Sequence, residues 1–376
     1  MRTTILPTLP GNEANPRARR KRVVPVVPLL CCCGLFLVVG MAAQERGIGR
    51  TGPVFTSFEA PGAGTQAGRG TAPAAINRAG TITGTYTDGR AVTHSFVRAS
   101  NGMITTFNAP SAYSTYAYSI NVAGAVAGAY FDANGNGHGF VRAPSGGFAK
   151  FEVPVDNPQN ILPQGINAAG TVVGSYVDTR TVYHGFVRAP NGAISSLDVP
   201  GAGTGDAQGT YVYGINDAGT ISGFYVDASN ALHGFVRATD GTVTSFDVPG
   251  GSDTQAYGVN ASGEIAGNYR GTDFYHGFVR AADGTITTFE VSGALGTVPL
   301  SINAKGETIG WYVDASSIYH SFSRSAGGAI TTFSAPGAGT GANQGTLAWG
   351  GVNATGMIAG SYIDGNGRFH GFVLTP

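Results

Sequence analysis

The stretch YGINDAGTISGFYVDASNALHGFVRATDGTVTSFDV, residues 213–248, contains four short strand signals in a row. The first ends at Asn216, and the others span residues 220–227, 233–237 and 242–248. The second and fourth alternate apolar and polar residues, as half-buried strands do. Asn216-x-x-Gly219 supplies an Asx-type turn with a glycine for positive φ, and Asp240-Gly241 is a strong hairpin signal. The stretch therefore predicts a four-stranded antiparallel unit.

This unit occurs seven times along the chain, each time with Ile/Val-Asn-x-x-Gly, then a tyrosine, then His-Gly/Ser-Phe. The repeated asparagines are Asn77, Asn121, Asn167, Asn216, Asn260, Asn303 and Asn353. The repeated tyrosines are Tyr86, Tyr130, Tyr176, Tyr225, Tyr269, Tyr312 and Tyr362. The repeated histidines are His94, His138, His184, His233, His276, His320 and His370. A period of about 46 residues with four strands per unit is typical of a propeller blade.

The two ends of the repeat region complement each other. Residues 54–65 match the fourth strand of a unit, as residues 330–340 do, while the last unit stops after its third strand at Pro376. We therefore expect an all-β, seven-bladed β-propeller over residues 54–376, with four antiparallel strands per blade. The N-terminal strand would close the last blade and leave no unfinished edge.

The composition is that of a folded chain. Charged residues are 12% and apolar residues 42% of the 376 residues, which is unlike a polyelectrolyte-type disordered chain. Residues 44–376 hold 16 basic and 21 acidic residues, a net charge of about −5. A mildly acidic body has no electrostatic reason to bind nucleic acid or anionic lipid.

The N-terminal segment has the order of a secretory signal. A basic cluster at residues 17–22 precedes an apolar run over residues 23–43, and Gly40 and Ala42 suit cleavage after Ala42 or Ala43. We expect residues 1–43 to be a signal peptide, the alternative being an uncleaved membrane anchor, and residues 44–53 to be a short linker. Either way the body is secreted or extracytoplasmic. The three cysteines, residues 31–33, fall inside this segment, so the body contains no disulfide.

The His-x-Phe repeat on this period resembles the HAF-type extracellular repeat family over nearly all of residues 54–376. The middle residue is Gly or Ser here, where the family name implies Ala. The resemblance implies an extracytoplasmic location and a propeller-like repeat. It implies no catalytic residue.

The seven histidines are interpreted as structural, because a residue present in every unit does the same work in every unit. Each would bond a carbonyl or the aspartate of the preceding loop. A possible Ca²⁺ loop lies at Asp132, Asn134 and Asn136, in the order Asp-x-Asn-x-Asn-Gly, although Ala143 stands where the bidentate acid is expected. The ordinary alternative is a Gly/Asn turn. No other cofactor is indicated.

Function is expected where side chains break the repeat. The loops between units and those between strands two and three vary most, and both would emerge on one face. Candidate binding residues on this variable-loop face are Tyr113, Tyr116, Tyr118, Asp206, Tyr211, Tyr213, Asp253 and Trp349. Three of the loops between units carry Pro-Gly-Ala-Gly-Thr, which we expect to lead flexibly into strand one.

Three functions remain open from the sequence. The first is a non-catalytic binding or scaffold propeller whose ligand is a glycan or an extracellular protein partner. The second is a polysaccharide lyase or hydrolase at the channel mouth, for which Asp156, Asp206 and Asp253 are the acids outside the repeat pattern. The third is a structural surface or adhesive module. Membrane contact would come only through an uncleaved N-terminal segment.

Overall fold

The computed structural model describes residues 52–153, 158 and 160–376. The predicted signal peptide and Asp156 lie outside the described residues, as does the predicted linker apart from residues 52 and 53. No helix in the described ranges is long and apolar enough to span a membrane.

The described residues form 28 β-strands and no α-helix. The strands are β1 Val54–Phe58, β2 Gly70–Ile76, β3 Ile82–Thr87, β4 Thr93–Arg98, β5 Ile104–Phe107, β6 Ser114–Ile120, β7 Val126–Phe131, β8 Gly137–Arg142, β9 Phe148–Phe151, β10 Asn160–Ile166, β11 Val172–Val177, β12 Tyr183–Arg188, β13 Ile194–Leu197, β14 Gly209–Ile215, β15 Ile221–Val226, β16 Leu232–Arg237, β17 Val243–Phe246, β18 Ser252–Val259, β19 Ile265–Arg270, β20 Tyr275–Arg280, β21 Ile286–Phe289, β22 Gly296–Ile302, β23 Thr308–Val313, β24 Tyr319–Arg324, β25 Ile330–Phe333, β26 Gly345–Leu347, β27 Ile358–Ile363 and β28 Phe369–Thr375.

Each repeat folds into four antiparallel strands, as its sequence predicts. In the unit that begins at β14, β14 pairs with β15, β15 with β16 and β16 with β17. The first strands of successive units contact one another, as β6 contacts β10 and β14 contacts β18, so they lie innermost. The turns between strands two and three and the loops between units share one end of the molecule, called the loop end below. The Asn-x-x-Gly turns lie at the opposite end.

The N-terminal strand completes the last unit. β1 pairs antiparallel with β28, from Val54 opposite Thr375 to Phe58 opposite Gly371. The predicted pairing between the two ends of the chain is therefore present. The 28 strands fit a ring of seven four-stranded units.

The repeated asparagines form a closed ring of hydrogen bonds around the axis. Each side-chain Nδ2 donates to the backbone carbonyl of the asparagine in the next unit, and the last, Asn353, donates to Asn77 at 3.3 Å. The asparagines are buried, so these bonds satisfy polar groups that water does not reach. The ring shows that the first and last units are neighbours.

The core is built from the phenylalanine of each His-x-Phe motif. All seven of these side chains are fully buried: Phe96, Phe140, Phe186, Phe235, Phe278, Phe322 and Phe372. Burying one phenylalanine stabilises a fold by roughly 1.5–3 kcal/mol. Between units, an arginine from strand three stacks over a strand-four phenylalanine of the preceding unit, as Arg98 does over Phe58 at 4.9 Å. These contacts join the separate sheets into one body.

The Pro-Gly-Ala-Gly-Thr loops are not flexible leads into strand one, as the sequence suggested, but clamps between units. In one of them the Gly203 amide donates to Val226 of its own unit and the Ala207 amide to Thr181 of the preceding unit. The loop ends in a parallel bridge between Gly209 and Tyr183. The same bridge forms in the other two loops, between Gly345 and Tyr319 and between Gly70 and Phe369.

Candidate functional site

A cavity on the axis is the candidate site, because side chains from the inner parts of all seven units meet there. Its volume is about 130 Å³, and it is called the axial cavity below. Its lining residues are Ala74, Tyr118, Gln164, Tyr213, Tyr257, Gly258, Leu300 and Trp349.

β-Bulges place these side chains on the axis. The register between the first two strands shifts in six units, and in β6, β14 and β18 the shift falls at Tyr118, Tyr213 and Tyr257. The equivalent shifts in β2, β10 and β22 fall at Ala74, Gln164 and Leu300. A bulge bends its strand and re-aims the side chain of the extra residue. Each of these residues stands three positions before the repeated asparagine.

The seventh unit reaches the cavity differently. Its first strand, β26, ends at Leu347, and Trp349 lies in the irregular segment that follows. The indole Nε1 donates a hydrogen bond to the Ser361 hydroxyl at 3.2 Å, which fixes the ring's orientation. Trp349 also stacks with Phe369 at a centroid distance of 6.2 Å and an interplanar angle of 17°.

The tyrosine rings meet at defined angles. Tyr213 and Tyr257 lie edge to face, with centroids 5.0 Å apart and ring planes 84° apart. Phe224 packs behind Tyr213 with ring centroids 5.6 Å apart, and Tyr211 stacks on Phe224 with ring centroids 4.8 Å apart. Tyr183 stacks on Tyr211 with ring centroids 4.0 Å apart, so these rings form a continuous column. The column supports one side of the axial cavity with closely packed rings, which limits movement of its wall.

The phenols at the cavity are neutral hydrogen-bonding groups. Burial raises the pKa of Tyr118, Tyr213 and Tyr257 well above the ordinary value for tyrosine. The Tyr257 hydroxyl donates to Oε1 of Gln255, which is itself buried. The lining therefore combines aromatic rings, phenol hydroxyls and the amide of Gln164.

The candidate binding residues predicted from sequence divide into three groups. Tyr118, Tyr213 and Trp349 come together at the axial cavity. Tyr116 and Tyr211 lie in inner strands beside them, and not in loops. The remaining three residues do not line the cavity. Tyr113 is 63% exposed, Asp206 lies in a clamp loop against the Thr181 hydroxyl, and Asp253 lies in β18 with φ of 51°.

Sequence reasoning missed Gln164, Tyr257 and Leu300. The signal is present in the repeat, because the position three residues before the asparagine holds Ala, Tyr, Gln, Tyr, Tyr and Leu in the first six units while its neighbours stay small or apolar. A varying position inside an otherwise regular strand points to a side chain that the repeat itself does not need.

The seven histidines sit in equivalent polar contacts at the loop end. Each ring packs against the tyrosine of its unit, with centroids 4.7–5.5 Å apart. Each Nε2 lies 3.0–3.8 Å from an aspartate of the preceding turn. Each Nδ1 contacts a residue at the end of strand four, such as Asp198 for His184 at 3.0 Å. The uniform contacts tie the outer strands of each unit together.

The predicted Ca²⁺ loop has the turn geometry of the other units. Asp132 Oδ1 accepts hydrogen bonds from the amides of Asn134 and Asn136 at 2.8 and 2.9 Å, and Oδ2 accepts one from Asn136 Nδ2 at 2.9 Å. These bonds lower the pKa of Asp132. Asp178 binds the amides of its own turn in the same way. Within the described ranges no cluster of three or more His, Cys, Asp or Glu side chains is placed to hold a metal ion.

Comparison with solved structures identifies the fold as a β-propeller. The chain is similar to a streptogramin B lyase, with a TM-score of 0.53, 13% identity, and coverage of 86% of this chain and 98% of that chain. It is similar to virginiamycin B lyase from Staphylococcus aureus, with a TM-score of 0.54, 11% identity, and coverage of 86% and 100%. It is also similar to the β-propeller domain of the Trilobed protease from Pyrococcus furiosus, with a TM-score of 0.54, 9% identity, and coverage of 82% and 94%.

These identities are low, so the likeness establishes the fold alone. No protein-family model matches the chain, and no curated protein matches it.

Proposed function

We propose that this chain is an exported, seven-bladed binding propeller, related to the HAF-type repeat proteins, that takes a small ligand in its axial cavity. The ligand is either a free molecule or one group of a larger glycan or extracellular protein. The observation that carries this proposal is the contrast between the repeated residues, which are identical in every unit, and the residues that line the axial cavity, which differ from unit to unit. The repeated Asn, Tyr, His and Phe are the same in every unit, whereas the side chains at the axial cavity are Ala, Tyr, Gln, Tyr, Tyr, Leu and Trp.

A purely structural ring would be served by one small or aliphatic side chain at that position in every unit. The chain instead places four large aromatic rings and one amide around the axis, where they bury apolar surface yet leave a cavity. Small-molecule sites are concave, mostly apolar and aromatic, with a few convergent polar groups. The axial cavity has this composition, which supports binding.

The two tryptophans allow a direct binding test. Trp311 lies in the core and Trp349 lines the axial cavity, so Trp311→Phe leaves one fluorophore, at the site. We expect members of a glycan and small-solute library to change its emission, measured with and without Ca²⁺. Tyr213→Leu should abolish the response and Tyr113→Ala, on an exposed residue, should retain it.

The proposal fails if no glycan, peptide or small solute changes the emission of Trp349. It also fails if the Tyr213→Leu variant binds a ligand as tightly as the unchanged chain does, because the site would then lie elsewhere.

A further inference from the structure

The aromatic residues of the axial cavity surround its space and do not form a flat platform. Tyr118, Tyr213, Tyr257 and Trp349 come from four different units, so they approach the axis from different directions. Tyr213 and Tyr257 meet at 84°, which makes a corner of two nearly perpendicular rings. Sugar rings are held by stacking on one flat face, whereas a box of rings at steep angles suits a compact, roughly spherical group.

The side chains of this box are neutral, and their rings favour positive charge. The face of an aromatic ring carries negative potential, and several rings around one point add their attraction for a cation. Burial keeps the three phenols protonated, since it raises the pKa of each above the ordinary value. The described lining adds one side-chain amide, that of Gln164.

Carboxylates at the loop end add a long-range electrostatic attraction for cations. Twelve carboxylates contact the seven histidines there, seven of them at Nε2 and five at Nδ1. Backbone amides of the same turns lower the pKa of Asp132, and hydrogen bonds from Ser229 and Ala231 lower that of Asp227. Asp132 and Asp227 are therefore ionised at neutral pH. Arginines pair with two of the twelve carboxylates, Arg180 with Asp178 and Arg368 with Glu59, and the field of the other carboxylates attracts cations toward this end of the ring.

We propose that the axial cavity binds a quaternary ammonium group, with Tyr118, Tyr213, Tyr257 and Trp349 as the walls of an aromatic cage. The inference rests on the proposed function, whose site it specifies. A quaternary ammonium has no N–H donors, so it loses little hydrogen bonding when it leaves water. A primary ammonium has three donors and would find mainly ring faces in this lining. The cavity's 130 Å³ suits a head group of this size.

The sharpest test compares two ligands of nearly the same shape. Choline and 3,3-dimethyl-1-butanol differ in that a charged nitrogen replaces a neutral carbon. Titration calorimetry of the purified chain should show choline and tetramethylammonium binding at least about tenfold more tightly than the neutral alcohol. Equal affinity for choline and the alcohol would overturn the inference, since shape and apolar burial alone would then explain binding.

Variants locate the site. Tyr213→Leu and Trp349→Leu keep an apolar side chain but remove the ring, and each should weaken choline binding by about tenfold or more. Tyr113→Ala, on an exposed side chain outside the cavity, is the control and should bind choline normally. Circular dichroism and thermal unfolding show whether each variant is folded. Choline binding that survives both leucine variants in folded protein would overturn the assignment to this cavity.

The same chemistry is available from a free solute or from a lipid head group. Co-sedimentation with phosphatidylcholine vesicles, against phosphatidylglycerol vesicles, separates the two sources, and binding to choline in either form supports the inference. If glycans change Trp349 emission and quaternary ammonium compounds do not, the inference is wrong and the proposed function stands. If no glycan, peptide or small solute, quaternary ammonium compounds included, changes the emission, both fail.

Discussion

Each repeated asparagine combines two functions in one side chain. The Oδ1 atom of Asn216 accepts a hydrogen bond from the Thr220 amide, which closes the turn between strands one and two. Its Nδ2 atom donates to the Asn260 carbonyl of the next unit at 2.9 Å. The first function is local and follows from Asn-x-x-Gly in the sequence. The second depends on ring closure, which local pattern reasoning does not reach.

Replacing Asn216 should therefore lower the free energy of unfolding by more than the loss of the turn hydrogen bond alone would. Asn216→Ala removes both hydrogen bonds and leaves the buried Asn260 carbonyl without this donor, so we expect the free energy of unfolding to fall by about 2–4 kcal/mol. Asn216→Asp keeps the turn acceptor but loses the donor, and it should also destabilise. Urea unfolding measures both changes.

Asn191 provides the matched control. It lies in an exposed turn, where its Oδ1 accepts from the Ala193 amide at 3.0 Å. Asn191→Ala should cost about 1 kcal/mol or less, because water replaces the lost partner. Similar losses for Asn216→Ala and Asn191→Ala would show that the ring of asparagines adds nothing beyond the turns.

The sequence predicted the strands better than the site, for a physical reason. Hairpin turns and period-two alternation are local, so Asn216-x-x-Gly219 and Asp240-Gly241 marked real turns between β14, β15, β16 and β17. The direction of Tyr213 depends on a bulge that forms only when β14 pairs with β15. Strict alternation has no place for that extra residue, so the sequence predicts Tyr213 on the variable-loop face, whereas the bulge in β14 directs it into the axial cavity.

At the scale of elements, a glycine is required at each parallel bridge that joins two neighbouring units. Gly209 has φ of 114°, and a Cβ atom there would lie 2.0 Å from the Tyr183 carbonyl oxygen. Gly70 and Gly345 have the same conformation and the same close approach to their neighbours. Gly296 occupies the equivalent place in the sixth unit, has no positive φ, and has no atom within 4 Å of such a Cβ.

This contrast gives a matched pair of substitutions. Gly209→Ala should lower the free energy of unfolding by at least about 1–3 kcal/mol, because both φ and the parallel bridge to Tyr183 must change. Gly296→Ala should change it by less than about 1 kcal/mol. Chemical denaturation of the two variants measures both values. Equal effects would mean that the clamp does not constrain the folded ring.

At the scale of the whole molecule, β1 holds three units together. Its backbone completes the last unit by pairing with β28, and Phe55 packs against Phe333 and Phe372 of the sixth and seventh units. Phe58 packs against Phe96 and under Arg98, both from the first unit. One five-residue strand thus joins the start of the ring to its end, and no other strand in the described residues replaces it at β28.

A chain that begins at residue 60 should therefore lose ring closure. Losing the β1 pairing and the burial of Phe55 and Phe58 should cost more than about 3 kcal/mol, and the open edge of β28 should promote association between molecules. Thermal unfolding and gel filtration measure the two effects, with a chain that begins at residue 52 as the control.

A synthetic peptide of residues 52–60 should restore the unfolding midpoint, because its strand can occupy the vacant edge. If the shortened chain stays monomeric and as stable as the control, closure resides in the Asn353–Asn77 contact and the inner strands, and β1 is dispensable.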